Sequence, residues 1–199
     1  VFKPEKLDPA HLSHLKLLKP DIFLVVSYGK IIPPAYLAAP ASGTFNIHFS
    51  LLPKYRSALP ISEAIKNGDQ ETGVTLMVMD EQLDHGPIIS QEKVSIDIND
   101  NCETLTNKLT QAASILLSEQ LPRLAAATFH SVPQNEAAAS YTPKIKERDR
   151  QSAFIDWKKI QAALAGTAAA ATHNLIRSLN PDPGAWTKIN NLELKIITT

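Results

Sequence analysis

An amide and an imidazole stand two residues apart in an apolar run of the chain, in the segment Asn46-Ile47-His48. Residues two apart on a β-strand point to the same face, so both side chains would project together. The amide can donate a hydrogen bond to a carbonyl oxygen, and the imidazole can polarise that oxygen or move a proton near neutral pH. A carboxyl group, Asp84, follows in a turn-like segment before another apolar run. These three groups suit acyl transfer to an amine.

Alternating strand and helix patterns must position these groups. Residues 21–27 are a continuous apolar run bounded by Pro20 and Gly29, which predicts a buried, parallel strand. Further strands are predicted at 44–48, 74–80 and 88–96, and helices at 11–18, at 61–67 and from Asn101 onward, with a short helical turn at Pro33-Pro34. The alternation predicts an α/β sheet with right-handed crossovers.

The second part of the chain is predicted to be a separate, smaller unit. Residues 126–152 are polar, with alanines and prolines, and are predicted to link a first unit, 1–125, to a second, 153–199. In the second unit we predict one helix from Phe154 to about Leu179, then a Pro-rich turn and strands at 185–189 and 192–197. About 45 residues are too few for an independent core, so this unit must lie on the first or fray.

Composition limits the classes of function. Lys plus Arg equals 20 and Asp plus Glu equals 20, so net charge gives no argument for nucleic-acid binding, although local patches can act. The single cysteine, Cys102, excludes an intrachain disulfide and a cysteine metal cluster, which fits a reducing compartment. No apolar run of the sequence approaches the length of a membrane span.

Several motifs occur in an order that resembles the folate-dependent formyltransferases. Residues 26–33, 46–56, 71–75 and 83–89 carry the resemblance in the first unit. Residues 141–145, 155–157, 173–177 and 183–186 resemble the branch of that family that acts on methionyl-tRNA. The resemblance implies a Rossmann-like sheet followed by the start of a small barrel-like C-terminal domain. It also leads us to expect an internal piece of a longer protein, without the first strands and most of the C-terminal domain.

The resemblance implies roles for particular residues. Asn46 and His48 would bind the formyl oxygen as negative charge develops on it. Asp84 would orient His48 or a water and help to remove the proton from the attacking amine. The donor would be 10-formyltetrahydrofolate, with no metal, and its pocket would be lined by Tyr28, Gly29, Ile31, Ile32, Pro33, Ser50, Leu51, Leu52 and Pro53.

Arg56 and the basic segment that begins at Lys144 can each be interpreted either as functional or as solvated charge. On residue type alone Arg56 is a solvated surface charge, whereas the resemblance places it in substrate binding. The mixed-charge segment that begins at Lys144 and includes Lys146 and Arg148 is either a solvated linker or a track along the RNA backbone. In the latter case these cations contact phosphates without reading sequence.

The chain departs from the family pattern at three places. Ser57 and Gln82 stand where the family usually has glycine, and Ser57 would alter the local backbone if that site needs a positive φ. The alanine-rich stretch 162–172 is longer than its counterpart and contains Gly166, which interrupts a helix. His85, beside Asp84, varies within the family and is interpreted as a residue without a direct role.

The expected function is transfer of a formyl group from 10-formyltetrahydrofolate to the amino group of methionyl-tRNA, for translation initiation in the cytoplasm. Neither a membrane nor an obligate protein partner is implied. Two alternatives remain open at this point. One keeps the chemistry but changes the acceptor to another amine, such as an amino sugar or a purine-pathway amine. The other is a truncated, inactive remnant that binds folate or RNA.

Overall fold

The computed structural model describes residues 6–143 and 149–198, and its centre is a four-stranded sheet in the order β1-β2-β3-β4. The strand β1 (Phe23–Val26) pairs in parallel with β2 (Thr44–His48). The strands β3 (Glu71–Val78) and β4 (Ile88–Ser95) extend the sheet in antiparallel fashion. The α/β class and the predicted strands are therefore confirmed. Among the described strands the parallel crossover is limited to β1 and β2, because β3 runs antiparallel to β2 and β4 runs antiparallel to β3.

The helices of the first unit begin where the sequence predicts helix starts. α1 (Pro9–Leu17), α2 (Pro34–Leu37) and α3 (Pro60–Lys66) each have a proline in the first turn, where no N–H is needed. The long helix α4 (Cys102–Ala125) begins at Asn101, whose side chain accepts hydrogen bonds from the backbone amides of Glu103 and Thr104. The Thr104 hydroxyl oxygen in turn accepts a hydrogen bond from the Asn101 backbone amide, which completes a capping box.

The main hydrophobic core lies between the sheet and α4. Residues of α4 spaced by four, seven and eight positions face β3 and β4, as a helix with one apolar stripe must. The buried members of this core are Phe45, Ile47, Ile65, Val74, Leu76, Leu105, Leu109, Leu116 and Leu124. β1 lies at the edge of the sheet, and Leu24 and Val26 are exposed there, so the prediction that this strand is buried is wrong. The loops that carry the candidate site leave the ends of this packed sheet.

The C-terminal part contains two helices where a single one was predicted, so that prediction is wrong. α5 (Trp157–Leu164) and α6 (Ala169–Leu179) are separated by a turn in which Gly166 has φ 87° and Ala168 has φ 54°. These left-handed backbones cannot continue a right-handed helix. The strands β5 (Trp186–Ile189) and β6 (Leu192–Lys195) form a hairpin, and residues 149–198 contain no closed barrel.

Part of the segment predicted as a linker is anchored to the first unit. Val132 exchanges two backbone hydrogen bonds with Ile88, the first residue of β4. Further along, Tyr141 forms a bridge with Arg56 in the loop after β2. Residues 129–142 thus run beside the sheet and reach both loops that carry the candidate site. The division into units at 125 and 153 stays a prediction.

Candidate active site

The strand β2 places Asn46 and His48 on one face and the core residues Phe45 and Ile47 on the other, because side chains alternate along a strand. Asn46 is 8% exposed and His48 is 6% exposed. Buried polar groups of this kind need hydrogen-bond partners, and both residues have them. Their surroundings therefore determine which of their atoms remain available for chemistry.

Asp84 reaches these two side chains from the loop between β3 and β4. Its Oδ1 accepts a hydrogen bond from Asn46 Nδ2 at 3.3 Å and lies 3.8 Å from His48 Nδ1. Its other oxygen, Oδ2, accepts a hydrogen bond from the backbone amide of Ser57 at 2.8 Å. The structure thus brings together the amide, the imidazole and the carboxylate that the sequence singled out.

The hydrogen bond on the far side of the His48 ring determines its tautomer. His48 Nε2 lies 2.9 Å from the backbone carbonyl oxygen of Tyr55. A carbonyl oxygen only accepts, so Nε2 carries a proton. In the neutral ring Nδ1 is then the bare nitrogen, and it is the one that faces Asp84. The Nδ1 of the neutral ring therefore faces the Asp84 carboxylate at 3.8 Å, while Nε2 is engaged with the Tyr55 carbonyl.

The loop after β2 holds its shape through left-handed backbone at two residues. Tyr55 has φ 62° and Ser57 has φ 90°. Ser57 is the residue that replaces a family glycine, and its site does require the conformation that glycine adopts most readily. Gln82, the other replacement, is exposed and lies outside the left-handed region. The backbone strain is therefore located at Ser57, whose amide donates the hydrogen bond to Asp84.

Arg56 is completely buried, so its interpretation as a solvated surface charge is wrong. Its guanidinium donates to Gln134, to both oxygens of Glu136 and to the Tyr141 hydroxyl. The hydrogen bonds with Glu136 raise the pKa of Arg56 further above its ordinary value, and those from Arg56 lower the pKa of Glu136. Arg56 therefore stays charged and engaged within the protein.

A family model described as Formyl transferase matches residues 2–121, and one described as Formyl transferase, C-terminal domain, matches residues 148–199. The chain belongs to the formyl transferase family. Curated relatives include a methionyl-tRNA formyltransferase of Staphylococcus epidermidis, 39% identical, covering 100% of this chain and 61% of the relative. Another, from Synechococcus, is 40% identical and covers 99% of this chain and 58% of the relative. The chain spans about three fifths of the length of these curated relatives.

Solved formyltransferase structures share the fold. A 4-N formyltransferase from Francisella tularensis superposes with a TM-score of 0.77 at 20% identity, over 96% of this chain and 75% of the other. An N-formyltransferase from Helicobacter canadensis, in complex with folinic acid and dTDP-3-aminofucose, gives a TM-score of 0.66 at 26% identity. That match covers 87% of this chain and 60% of the other. The sheet is therefore the Rossmann-like sheet of formyltransferases.

The residues predicted to line a folate pocket lie in two loops at the same edge of this formyltransferase sheet. The loop 27–33 follows β1 and the loop 49–59 follows β2. Because these two strands are parallel, their carboxyl-terminal ends lie on the same side of the sheet. In the first loop Ile31 is 89% exposed and Tyr28 is 42% exposed. In the second, Leu52 is buried and its amide donates to Thr75 Oγ1. The first loop offers exposed apolar surface after the strand that pairs with β2, and hydrogen bonds from Ser50 and Leu52 hold the second loop in place.

The predicted cations divide between described and undescribed parts of the chain. Lys144, Lys146 and Arg148 lie outside the described residues. Arg150 follows them, and its guanidinium pairs with Glu193 and lies 5.3 Å from the Trp186 ring centre. Among residues 6–143 and 149–198, no group of His, Cys, Asp and Glu side chains is arranged to hold a metal ion. In the same ranges no helix is long and apolar enough to cross a bilayer.

Sequence reasoning missed the residues that surround the site from the segment 134–142. Gln134, Glu136 and Ser140 contact Arg56, the Asp84 loop or Tyr55. Within this segment, Tyr141 and Thr142 were part of a sequence motif, but that motif indicated a branch of the family and gave neither residue a role at the site. These residues are about 50 to 85 positions from their partners in sequence, so no local pattern reveals them. His85 also meets this segment, since its ring lies between Asp80 and Glu136.

Proposed function

We propose that this chain transfers a formyl group from 10-formyltetrahydrofolate to an amine, and that the amine is the amino group of methionyl-tRNA. The observation that carries the chemistry is the position of His48, whose Nε2 lies on the Tyr55 carbonyl and whose Nδ1 faces Asp84, with Asn46 bound to the same carboxylate. The curated relatives named methionyl-tRNA formyltransferase, matched over the whole chain, support the acceptor. With that acceptor the protein acts in translation initiation, in the cytoplasm.

The amine attacks the formyl carbon of the folate donor. The bond between that carbon and the tetrahydrofolate nitrogen breaks, and the leaving nitrogen takes up a proton in exchange for the one that the amine loses. The residues that would hold the donor are those of the loop 27–33, with Ser50 to Pro53 closing the other side. The exposed apolar side chains of Tyr28 and Ile31 fit a flat, largely apolar ring system. Ser50 is buried, and its hydroxyl donates to the Lys54 carbonyl at 2.6 Å, which keeps the second loop in place.

Asn46 provides a hydrogen-bond donor for the formyl oxygen. A side-chain amide carries two N–H groups, and one of those of Asn46 is used by Asp84. The second N–H can point toward an oxygen on which charge develops. The Asn46 amide is buried and hydrogen-bonded to Asp84. It therefore needs little reorientation when negative charge develops on the formyl oxygen. Loss of one donor of this kind typically costs about 3–4 kcal/mol of barrier.

His48 accepts the proton that the attacking amine must lose. The proton goes to Nδ1, because Nε2 already holds one that is donated to Tyr55. The cation then lies 3.8 Å from the nearest oxygen of Asp84. Donation from Nδ1 to the formyl oxygen, the role that the resemblance implies, requires this protonated form. His48 thus collects the proton first and can then stabilise negative charge.

Alanine substitution of Asn46, His48 or Asp84 tests the chemistry. We expect each change to lower the rate of formyl transfer to methionyl-tRNA by about 100-fold or more, with folate binding reduced much less. His130→Ala is the matched control, since it removes an exposed imidazole of the same protein. Turnover within a factor of a few of wild type in the His48 variant would show that His48 does not take the proton.

A second candidate acceptor is an amino sugar linked to a nucleotide. It is favoured by the Helicobacter canadensis structure, which holds dTDP-3-aminofucose. Parallel assays with methionyl-tRNA and with a dTDP-amino sugar distinguish the two acceptors. Faster transfer to the sugar would replace the tRNA proposal. Folate binding without transfer to either acceptor would favour the inactive remnant.

The basic segment provides a test of the RNA partner. We propose that Lys144, Lys146 and Arg148 contact tRNA phosphates. Their joint replacement by alanine should weaken tRNA binding and flatten its salt dependence by about one unit of log-log slope for each phosphate that is no longer neutralised. Lys93→Ala is the control, because Lys93 is an exposed cation on β4, outside this segment. An unchanged slope in the triple variant would return the segment to the solvated-linker interpretation.

A further inference from the structure

Gln134 uses both ends of its side chain at the candidate site. Its Nε2 donates to the backbone carbonyl oxygens of Asp84, at 2.9 Å, and of Gly86, at 2.8 Å. Its Oε1 accepts from Arg56 Nε at 3.1 Å and from Arg56 Nη2 at 2.8 Å. A guanidinium only donates and a carbonyl only accepts, so the orientation of this amide is unambiguous. Every donor and acceptor of the Gln134 amide is therefore committed.

The loop that Gln134 holds contains no regular structure of its own. Asp84 has φ 48°, a conformation that costs a non-glycine residue energy. At Gly86, a Cβ atom would lie 1.9 Å from the carbonyl oxygen of Val78, so only glycine allows the loop to fold back onto β3. The two carbonyls that flank His85 thus need a partner that holds them. Gln134 is that partner, and it enters from 50 residues further along the chain.

Arg56 anchors Gln134 from the other side. The five N–H groups of its guanidinium make five hydrogen bonds, two of them to Gln134, two to Glu136 and one to Tyr141. Its backbone amide donates to Ser140, and its carbonyl accepts from Thr142. No N–H of Arg56 remains for a phosphate. The residue predicted to bind substrate is in this structure a fixed internal support.

We propose that Gln134, held by Arg56, is a positioning residue that sets the carboxylate of Asp84 against His48. This inference rests on the proposed function, since it assigns to Gln134 the geometry of the same reaction. Gln134 touches no reacting atom. It acts through the backbone of Asp84, whose Oδ1 must stay near His48 Nδ1 and whose Oδ2 must stay on the Ser57 amide. A displacement of about 1 Å in such a group can cost up to about 100-fold in rate.

Two substitutions separate the two ends of Gln134. Gln134→Glu keeps an acceptor for Arg56 but removes both donors to the Asp84 loop. Gln134→Met keeps the length and removes both functions, and it serves if a carboxylate at this place prevents folding. Gln82→Glu is the matched control, because it adds the same charge to an exposed position of the Asp84 loop without touching these hydrogen bonds. Thermal unfolding of each variant shows that it is folded.

The first readout is kinetic. We expect either Gln134 variant to lower kcat for formyl transfer by about 10- to 100-fold, with KM for folate and for the acceptor within about twofold of wild type. A purely structural role would instead lower the melting temperature and the active fraction, and would leave kcat per folded molecule unchanged. Unchanged kcat in both folded variants would overturn the proposal, as would a decrease that Gln82→Glu shares.

The second readout needs no substrate. The amide proton of Ser57 donates to Asp84 Oδ2, so its NMR chemical shift reports the position of that carboxylate. We expect it to move upfield in both Gln134 variants and to stay in place in the Gln82 control. A stationary Ser57 resonance would overturn the proposal whether or not the wild-type chain is active. A shifted resonance in a chain without transferase activity would keep Gln134 in its role and remove the proposed function alone.

Discussion

At the scale of a single residue, a neighbouring carbonyl determines which ring nitrogen of His48 carries the proton. The Tyr55 carbonyl fixes the proton on Nε2 and thereby leaves Nδ1 bare toward Asp84. The sequence predicts that an imidazole, an amide and a carboxyl group lie at strand ends, because side-chain alternation and turn residues are local signals. It does not predict the tautomer, which depends on a left-handed residue in the following loop.

Ser57→Gly should stabilise the protein. Ser57 has φ 90°, where glycine has no steric cost and serine does, so we expect a gain of about 1 kcal/mol in the free energy of unfolding. Transfer activity should persist, since the Ser57 amide that binds Asp84 remains. Urea denaturation measures the effect. Ala58→Gly is the control, because Ala58 is exposed and outside the left-handed region, and there glycine should destabilise or be neutral.

At the scale of elements, strands and capped helices were predictable and the alanine-rich stretch was not. β2 and α4 combine the right periodicity with clear boundaries, His48 for the one and Asn101 for the other. Alanine is the strongest helix former, so propensity across 162–172 favours one long helix. Gly166 and Ala168 break it because the turn brings α6 back against α5 and onto α3. Gly166 marks the break in the sequence, whereas the left-handed Ala168 and the packing of α6 onto α3 have no local signal.

Thr172→Val should stabilise the contact between α5 and α6. Thr172 is 2% exposed, and within the described residues its hydroxyl has no hydrogen-bond partner. A buried, unpaired hydroxyl costs about 1–3 kcal/mol, and valine has the same shape without that cost. We expect the free energy of unfolding to rise by about 1 kcal/mol. A decrease in stability would indicate that the hydroxyl is hydrogen-bonded in solution.

Thr75→Val is the matched control for this change. Thr75 is also fully buried, but its hydroxyl donates to the Ser50 carbonyl and accepts from the Leu52 amide and from Gln91. The same substitution should therefore lower the free energy of unfolding by about 2 kcal/mol or more. The opposite signs at two buried threonines separate hydrogen bonding from burial.

At the scale of the whole molecule, the C-terminal part is held to the first unit by polar contacts as well as by packing. The sequence predicts that it either lies on the first unit or frays, because a small core cannot support it alone. The structure shows a small cluster of its own, with Ile155 and Ile176 at its centre. It also shows Arg177, on α6, donating to the backbone carbonyls of Asp97 and Asp100 ahead of α4. The identities of these partners could not be read from local patterns.

Asp100 makes this junction sensitive to acid. Burial acts to raise the pKa of Asp100, but hydrogen bonds from Lys108, the Asp97 amide and Thr104 outweigh it and lower that pKa below its ordinary value. The stabilisation is therefore complete above the ordinary pKa of an aspartate and is lost as pH falls through the lower pKa of the folded state. Asp100→Asn should remove this part of the acid dependence. Stability measured from pH 6 down to about pH 2 checks it, and an unchanged slope would contradict the assignment.

Arg177→Met should loosen the C-terminal part selectively. The buried guanidinium donates to two carbonyls of the first unit. Its removal takes the Arg177 donor from the Asp100 carbonyl, at a cost of about 1–3 kcal/mol, whereas the Asp97 carbonyl still accepts from the Asp100 amide. Methionine keeps the length and the apolar contacts of the side chain. We expect amide hydrogen exchange to accelerate in 169–198 and to stay slow in β2 and β3. The exposed Lys188→Met controls for removal of a cation. If amide exchange accelerates equally in β2, β3 and 169–198, the two parts unfold as one cooperative unit. The contact of Arg177 then stabilises the whole chain and not the C-terminal part alone.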